Sequence, residues 1–493
     1  TFNNIHHLDF LAGYEIDDTY NDYLSGEAYN FTTPDKHAIS NGMKTVSVGG
    51  SDSRYRLVSY LSRLNYDYKN KYYLGASFRV DGSSRLHRDN RWGTFWSVSG
   101  AWRTIEEEFM QPVKDWLTDL RIRASYGVNG TLPSDYFGYM GLSSISGGYL
   151  EQPGIQMSQI ANPNLKWETN YNMNIGLDFG FWDRLNFTIE YYTRTTKNLL
   201  MDCPVSMTTG FSSYLMNIGE VKNKGIELTI NSTNIKIKDF NWNTTFNLGH
   251  NSNKVVKLDG EQTQIVSGTQ IHKVGSSYRT FYVQEFAGIN PETGNPLFYT
   301  NELDENGNYI KEITENSKNA QFIPYKHAEP TVNGGISNSL RYKWLDLNFL
   351  FSYQFGGYSY DTWAQKTEHG GYDSYANIPT YYRDSWKKPG DQTNIEVYMP
   401  GKSSSVSMHK ITSSRRIHST DYFRLKNITF GITLPKEWTN KINIGNVRFY
   451  ASASNLWTWA AYDNYDPEAV SAGSATQTTP PLKTVTFGLN INF

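Results

Sequence analysis

Residues 484–493 alternate without a break. Val485, Phe487, Leu489, Ile491 and Phe493 are apolar, while Thr484, Thr486, Gly488, Asn490 and Asn492 are small or polar. Successive side chains of a strand point to opposite faces, so this segment has an oily face and a wet face. Its length matches a tilted strand that crosses a bilayer, about 9–11 residues. A water-filled membrane barrel needs such two-faced strands. The last strand of a soluble β-sandwich alternates in the same way, so the rest of the chain must separate the two.

The same period recurs along the chain. It predicts strands near 7–16, 57–68, 71–81, 94–103, 120–128, 172–182, 185–196, 224–232, 241–250, 332–342, 344–356, 422–434, 445–458 and 484–493. Leu345, Leu347, Phe349, Phe351, Tyr353 and Phe355, for example, oppose Asp346, Asn348, Ser352 and Gln354. One short helix is expected, near 106–116.

The connections sort by length. Lys69-Asn70, Asp183-Arg184 and Lys343-Trp344 read as tight turns, with brief links at 233–240 and 435–444. Between them come long connections at 17–56, 129–171, 197–223, 251–331, 357–421 and 459–483, and a modest one at 82–93. If strands run up and down in order, the tight turns share one end and the long loops the other. An outer-membrane barrel has this asymmetry, with short periplasmic turns and long external loops. A sandwich has no reason to sort its loops by parity. The reading is an all-β chain: a transmembrane antiparallel β-barrel with about 14 strands in this chain, its C-terminus on the periplasmic side.

Composition agrees. The chain is hydrophilic on average, yet carries 36 Tyr, 25 Phe and 13 Trp. Aromatic girdles around a polar lumen would account for both. A formal net charge of −2 offers no footprint for nucleic acid. The single cysteine, Cys203, allows no intramolecular disulfide and reads as an ordinary buried or loop thiol. No run of 18 apolar residues suggests a membrane helix. The opening residues do not read as a signal peptide, so the true N-terminus of an exported protein is expected upstream.

Several stretches resemble the SusC/RagA-type TonB-dependent transporters of Gram-negative outer membranes. They read YLGASFRVDGSSR at 73–85, NRWGTFWSVS at 90–99, LRIRASYG at 120–127, NPNLKWE at 162–168, NIGEVKNKGIE at 217–227, YFRLKNI at 422–428 and ASNL at 453–456, with the terminal Phe493. The resemblance implies that the chain is the C-terminal part of a 22-stranded plugged barrel. The plug domain and the TonB-contact segment would lie upstream and are absent from this chain. It also implies a SusD-like surface lipoprotein as lid, TonB as the energy-coupling partner, an oligosaccharide or oligopeptide substrate, and Phe493 as a barrel-assembly terminus.

A transporter needs a wet path and weak multivalent contacts, not a catalytic group. Tyr358, Tyr360, Trp363, Tyr381, Tyr382 and Trp386, with Trp459 and Tyr462, are the candidate substrate contacts. Aromatic faces beside carboxylates and amides suit sugar rings; the same residues could instead pack the loops or meet the lid. Tyr60, Tyr72, Trp96, Trp102, Trp182 and Trp457 stand near strand ends and are expected at the membrane interfaces. Asp304, Asn306 and Asn308 have the spacing of a calcium loop, with Glu315 twelfth, but flanking hairpin character favours a plain turn. Arg415-Arg416 and Lys387-Lys388 read as solvated basic pairs that could touch lipopolysaccharide. No nucleophile elbow, P-loop or HExxH motif is present, so no enzyme and no cofactor are expected.

Overall fold

The computed structural model describes residues 1–493 except 2, 4, 37, 150–151, 259–262, 372–376, 402–410, 440, 442–443, 476–477 and 493. The terminal Phe493 therefore lies outside the described residues. Among the described residues, fourteen strands form one sheet, each hydrogen-bonded to the next in chain order. They are β1 (His6–Phe31), β2 (Gly42–Tyr68), β3 (Tyr72–Ser83), β4 (Trp92–Trp102), β5 (Leu117–Thr131), β6 (Glu168–Phe181), β7 (Leu185–Lys197), β8 (Glu220–Lys236), β9 (Phe240–Lys257), β10 (Val332–Tyr342), β11 (Leu345–Phe355), β12 (Tyr422–Thr433), β13 (Asn446–Ala460) and β14 (Thr484–Asn492). The number and order of strands follow the alternation in the sequence.

The chain divides into two compact units. The first contains Thr1–Trp102, Arg123–Met173 and Arg194–Glu220. In its sheet the register sets Phe10, Leu64, Ala76 and Val98 in one apolar row, and Leu8, Tyr66 and Leu74 in the next. The opposite face carries the charged and hydroxyl groups, beside a small apolar cluster around Phe95. There Arg79 donates to Asp81 (2.6 Å), to Ser59 (2.8 Å) and to Glu15 (2.9 Å), and the Ser77 and Ser97 hydroxyls meet at 2.6 Å.

Aromatics gather at two levels on the apolar face. By the tight turn, His6, Tyr68, Tyr72 and Trp102 pair across four strands, Tyr72 stacking on Trp102 at 6.4 Å. Further up, Tyr14, Tyr60 and Trp92 come together. Trp92 lies over Gly82, where any Cβ would sit 2.6–2.8 Å from the indole. Trp92 and Trp102 are about 33 Å apart along the strand at ~3.3 Å per residue. At a tilt of about 40° that is roughly 25 Å along the barrel axis, the height of an outer-membrane apolar band. Trp96, 40% exposed, stands on the same face between the two levels.

The connection expected at 17–56 is much shorter. β1 and β2 stay paired from His6↔Tyr68 to Phe31↔Gly42. Past Ile16 the side chains no longer alternate, so the sequence signal fades. The backbone ladder does not need that signal, since its hydrogen bonds are main-chain. Asp18 reinforces it by pairing with Arg54 and Arg56. Connection 129–171 likewise carries a hairpin, Leu142–Tyr149 with Gln152–Gln159. Cys203 is buried in the short strand Leu200–Pro204.

The second unit contains Arg103–Ile122, Asn174–Thr193 and Val221–Phe493. The helix expected near 106–116 is two 3₁₀ turns, Thr104–Glu106 and Glu108–Val113, the second holding Pro112. A tight turn falls one residue earlier than expected: Trp182 and Asp183 take positive φ, 52° and 53°. Two positive φ values in succession mark the turn whose twist suits a hairpin. Trp182 therefore sits in the turn itself, 60% exposed. In the sheet, Leu347, Phe430, Ala451 and Phe487 form an apolar row. On the other face Asp346 pairs with Arg448 at 2.6 Å. Trp457 is exposed and meets Phe423 edge-on at 6.2 Å.

Candidate functional site

Three of the long connections, 251–331, 357–421 and 459–483, fold into each other within the second unit. The short strand Tyr358–Asp361 is their meeting point. It pairs antiparallel with Ile417–Ser419 and parallel with Ser474–Ala475. The Tyr360 N–H also donates to Gly473 O at 2.8 Å. Gly473 has φ +80°, and a Cβ there would strike Ala328 and the Gln270 amide. Tyr360, fully buried, packs with Phe281, Val283 and Ile417. Gln284 extends the junction: its N–H donates to Thr412 O at 3.0 Å, and its amide to Ser317 O and Ala320 O at 2.5 and 2.8 Å.

Charges hold this body together. Asp361 begins the one-turn helix Thr362–Thr367, its carboxylate accepting the Ala364 N–H at 2.7 Å and the Tyr462 hydroxyl at 3.0 Å. Burial, then the nearby Asp361 charge, pushes the Tyr462 phenol well above its usual range. Tyr465, half-buried and bonded to Ser359, is pushed up to about 12, chiefly by that burial. Glu368 is held by Arg416, Arg415 and the Tyr381 hydroxyl. Burial resists its ionisation, but Arg416 and Arg415 outweigh that and keep the carboxyl below its ordinary range. Burial likewise raises Tyr381 and Tyr382, with carboxylates adding to it.

The basic pair 415–416 is therefore not a solvated face. Arg416 is fully buried, and Arg415 donates to Asn394 O as well as facing Glu368. A buried carboxylate draws both guanidiniums inward, because it needs charged partners there. Lys387 and Lys388 stay exposed while their backbone N–H groups bond Asp391.

A second clamp ties connection 459–483 to the sheet. Arg424, 2% exposed, donates to Thr458 Oγ1 at 2.9 Å, to Asp466 at 2.5 Å and to Glu468. Glu468 also accepts from Lys426 at 2.6 Å and from the Tyr422 hydroxyl at 3.1 Å. Between this clamp and the Asp361 helix opens a cavity of about 720 Å³. Trp363 and Trp459 line it with Asp463, Asn464, Thr458, Thr478, Pro467, Pro480, Pro481 and Lys483.

The structure thus sorts the eight loop aromatics. Trp363 and Trp459, 42% and 48% exposed, line the cavity. Tyr360 and Tyr382 are buried, and Tyr381 serves Glu368. Trp386 donates to Pro291 O at 2.7 Å, bridging two connections. Tyr462 stacks on His418. Tyr358 is half-buried against the Phe281–Tyr360 core. The cavity's other lining was missed because Pro480, Pro481 and Lys483 carry no pattern that sets them apart from ordinary loop residues.

The calcium spacing resolves into a turn. Asp304 accepts the N–H groups of Asn306 (2.9 Å) and Asn308 (2.8 Å) between the two-residue strands Glu302–Leu303 and Tyr309–Ile310. Glu315 is engaged elsewhere, accepting from Asn290, Thr293 and Asn295.

A long antiparallel sheet with one apolar and one polar face, bearing folded loops with a cavity among them, is the architecture of part of an outer-membrane barrel. The chain belongs to the family described as TonB dependent receptor-like, beta-barrel, whose model matches residues 1–309. It is 32% identical to TonB-dependent receptor P3 of Formosa agariphila over 99% of this chain and 51% of that protein. It is 30% identical to TonB-dependent receptor SusC of Bacteroides thetaiotaomicron over 96% of this chain and 47% of that protein. Among solved structures it superposes on a chain of the RagAB peptide transporter with a TM-score of 0.86 at 27% identity. That match covers 100% of this chain and 54% of the other. The chain thus spans about half the length of the curated relatives it matches. Its place is the outer membrane.

Proposed function

We propose that this chain is the C-terminal barrel part of an energised importer that carries oligosaccharides across the outer membrane. About eight further strands elsewhere in the polypeptide would complete a 22-stranded barrel, a plug and a TonB-contact segment would equip it, and a SusD-like lipoprotein would close over its mouth. In this reading the long connections face outward and the C-terminus lies in the periplasm. Tyr72, Trp102 and Trp182 serve one membrane interface, and Tyr60 and Trp457 the other. The protein binds and passes its cargo without catalysis.

The observation that carries the choice of cargo is the cavity wall. Two exposed indoles stand among carboxylate, amide and hydroxyl groups. A sugar ring offers an apolar face to an indole and a rim of hydroxyls to the polar groups. An oligopeptide cargo is the second reading, favoured by the likeness to the RagAB peptide transporter.

The test is uptake by cells carrying the full-length protein, with oligosaccharides or oligopeptides as sole nutrient, with and without TonB. Glycan-dependent growth that vanishes without TonB is expected. Growth on peptides alone would favour the second reading. Uptake that ignores TonB would leave a passive porin as the better account.

A further inference from the structure

Building on the reading of the cavity as a glycan site, we propose that it admits uncharged oligosaccharides and discriminates against sulfated or uronic-acid ones. The guanidinium in its wall is taken up by the protein's own carboxylates.

Sulfate and carboxylate groups are gripped best by an arginine that presents two parallel N–H groups along one edge. Arg424 is the arginine among the described residues lining the cavity. Its NH2 is committed to Asp466, its NH1 to Glu468 and its Nε to Thr458. At 2% exposure it has no edge turned to a ligand. Asp466 is fixed in turn, its other oxygen accepting the Glu468 N–H at 2.9 Å. The clamp is closed before any ligand arrives.

The remaining charges add no grip for an anion. Asp466 is spent in the clamp, and Asp361, 2% exposed, is held by the Ala364 N–H and the Tyr462 hydroxyl. That leaves one exposed carboxylate, Asp463, beside one exposed ammonium, Lys483. An anionic glycan would find no net positive charge and no free guanidinium edge there, a mismatch that acts chiefly on specificity. A neutral sugar meets acceptors that suit it, because its hydroxyls can donate to Asp463 and to the Asn464 carbonyl. Trp363 and Trp459 supply faces for its C–H groups, and Pro467, Pro480 and Pro481 keep the wall apolar and stiff.

The experiment is calorimetry on the full-length protein in detergent at fixed ionic strength. The probes are neutral gluco-, manno-, xylo- and galacto-oligosaccharides, galacturonate and sulfated galactose oligomers, and mixed oligopeptides. A neutral glycan is expected to bind at least ~10-fold tighter than its charged counterpart. Asp463→Asn, at an exposed position, should narrow that ratio. Asp466→Asn with Glu468→Gln frees Arg424 and should reverse the preference; should that variant not assemble, the wild type and Asp463→Asn decide alone. Equal or tighter binding of charged glycans by the wild type overturns the selectivity and leaves the glycan reading standing. Binding of peptides alone, or of no glycan, overturns both.

Discussion

The imidazole of His418 lies flat on the phenol ring of Tyr462, the centroids 3.7 Å apart and the planes 2° from parallel. One ring belongs to connection 357–421 and the other to 459–483. Tyr462 in turn donates to Asp361 at 3.0 Å. Segments far apart in the chain are thus closed into one body, and the cavity wall depends on that closure.

This contact makes the loop body acid-sensitive. Burial disfavours charge on His418 and lowers its pKa, against the pull of Asp361 and Glu368. An opened loop would take up a proton below the ordinary histidine value of about 6.5. The closed state's advantage is therefore complete above that pH and is lost as pH falls through the lowered value. Glu368, also held low, contributes above its ordinary value of about 4.3 and loses its Arg416 pairing as pH falls further. Limited proteolysis within 461–483 should accelerate as pH drops from about 7.5 to 5, and His418→Phe should abolish that first phase. A cleavage rate flat across the range would refute the coupling.

Arg424→Met should release the clamp on 459–483. Removing one partner of a buried ion pair costs about 3–5 kcal/mol. The lower end applies, because Lys426 still reaches Glu468 at 2.6 Å. Faster cleavage within 461–483, with an unchanged heat-modifiable shift of the barrel on gels, is the expected result. Unaltered cleavage would mean that the strand pairing of Ser474–Ala475 holds the segment by itself.

Neighbouring residues on β14 should differ sharply in their tolerance of charge. Phe487, 81% exposed, continues the apolar row through Ala451 and Phe430. Thr486 pairs with Ser452, whose hydroxyl meets Thr429 at 2.8 Å on the polar face. Phe487→Arg should cost about 2–4 kcal/mol of barrel stability if it faces lipid near the midplane. Thr486→Arg should cost well under half of that. The check is the urea midpoint of each variant refolded into thin bilayers; equal losses would contradict the assignment of faces.

The sheet was legible because alternation is a direct imprint of two-faced burial, and it repeats in strands such as 345–355 and 484–492. It failed where pairing continues without burial contrast, as between Asp17 and Phe31. The aromatic-rich connections were visible as aromatic, but composition could not divide Trp363, which faces the cavity, from Tyr360, which is sealed beneath it. That division is made by the partner segment 474–475, which pairs with 360–361 from across the sequence. Arg415 and Arg416 misled for the same reason, since the carboxylate that buries them is Glu368.

Loop aromatics should consequently fall into two mutational classes. Trp363 is 42% exposed and sits at the cavity, so truncation removes a ligand face without disturbing a core. An aromatic anchor that the bound ligand covers is worth about 2 kcal/mol, which is roughly 30-fold in Kd. Trp363→Ala should therefore weaken glycan binding by about that factor, with the loop's protease resistance intact. Tyr382, 5% exposed, should behave differently. Tyr382→Ala opens a cavity in the loop body at a cost of about 3–5 kcal/mol, as for other large buried rings. Binding and protease resistance should then fall together. Calorimetry and proteolysis on the same preparations separate the classes, and a Trp363→Ala variant that binds like the wild type would remove that indole from the site.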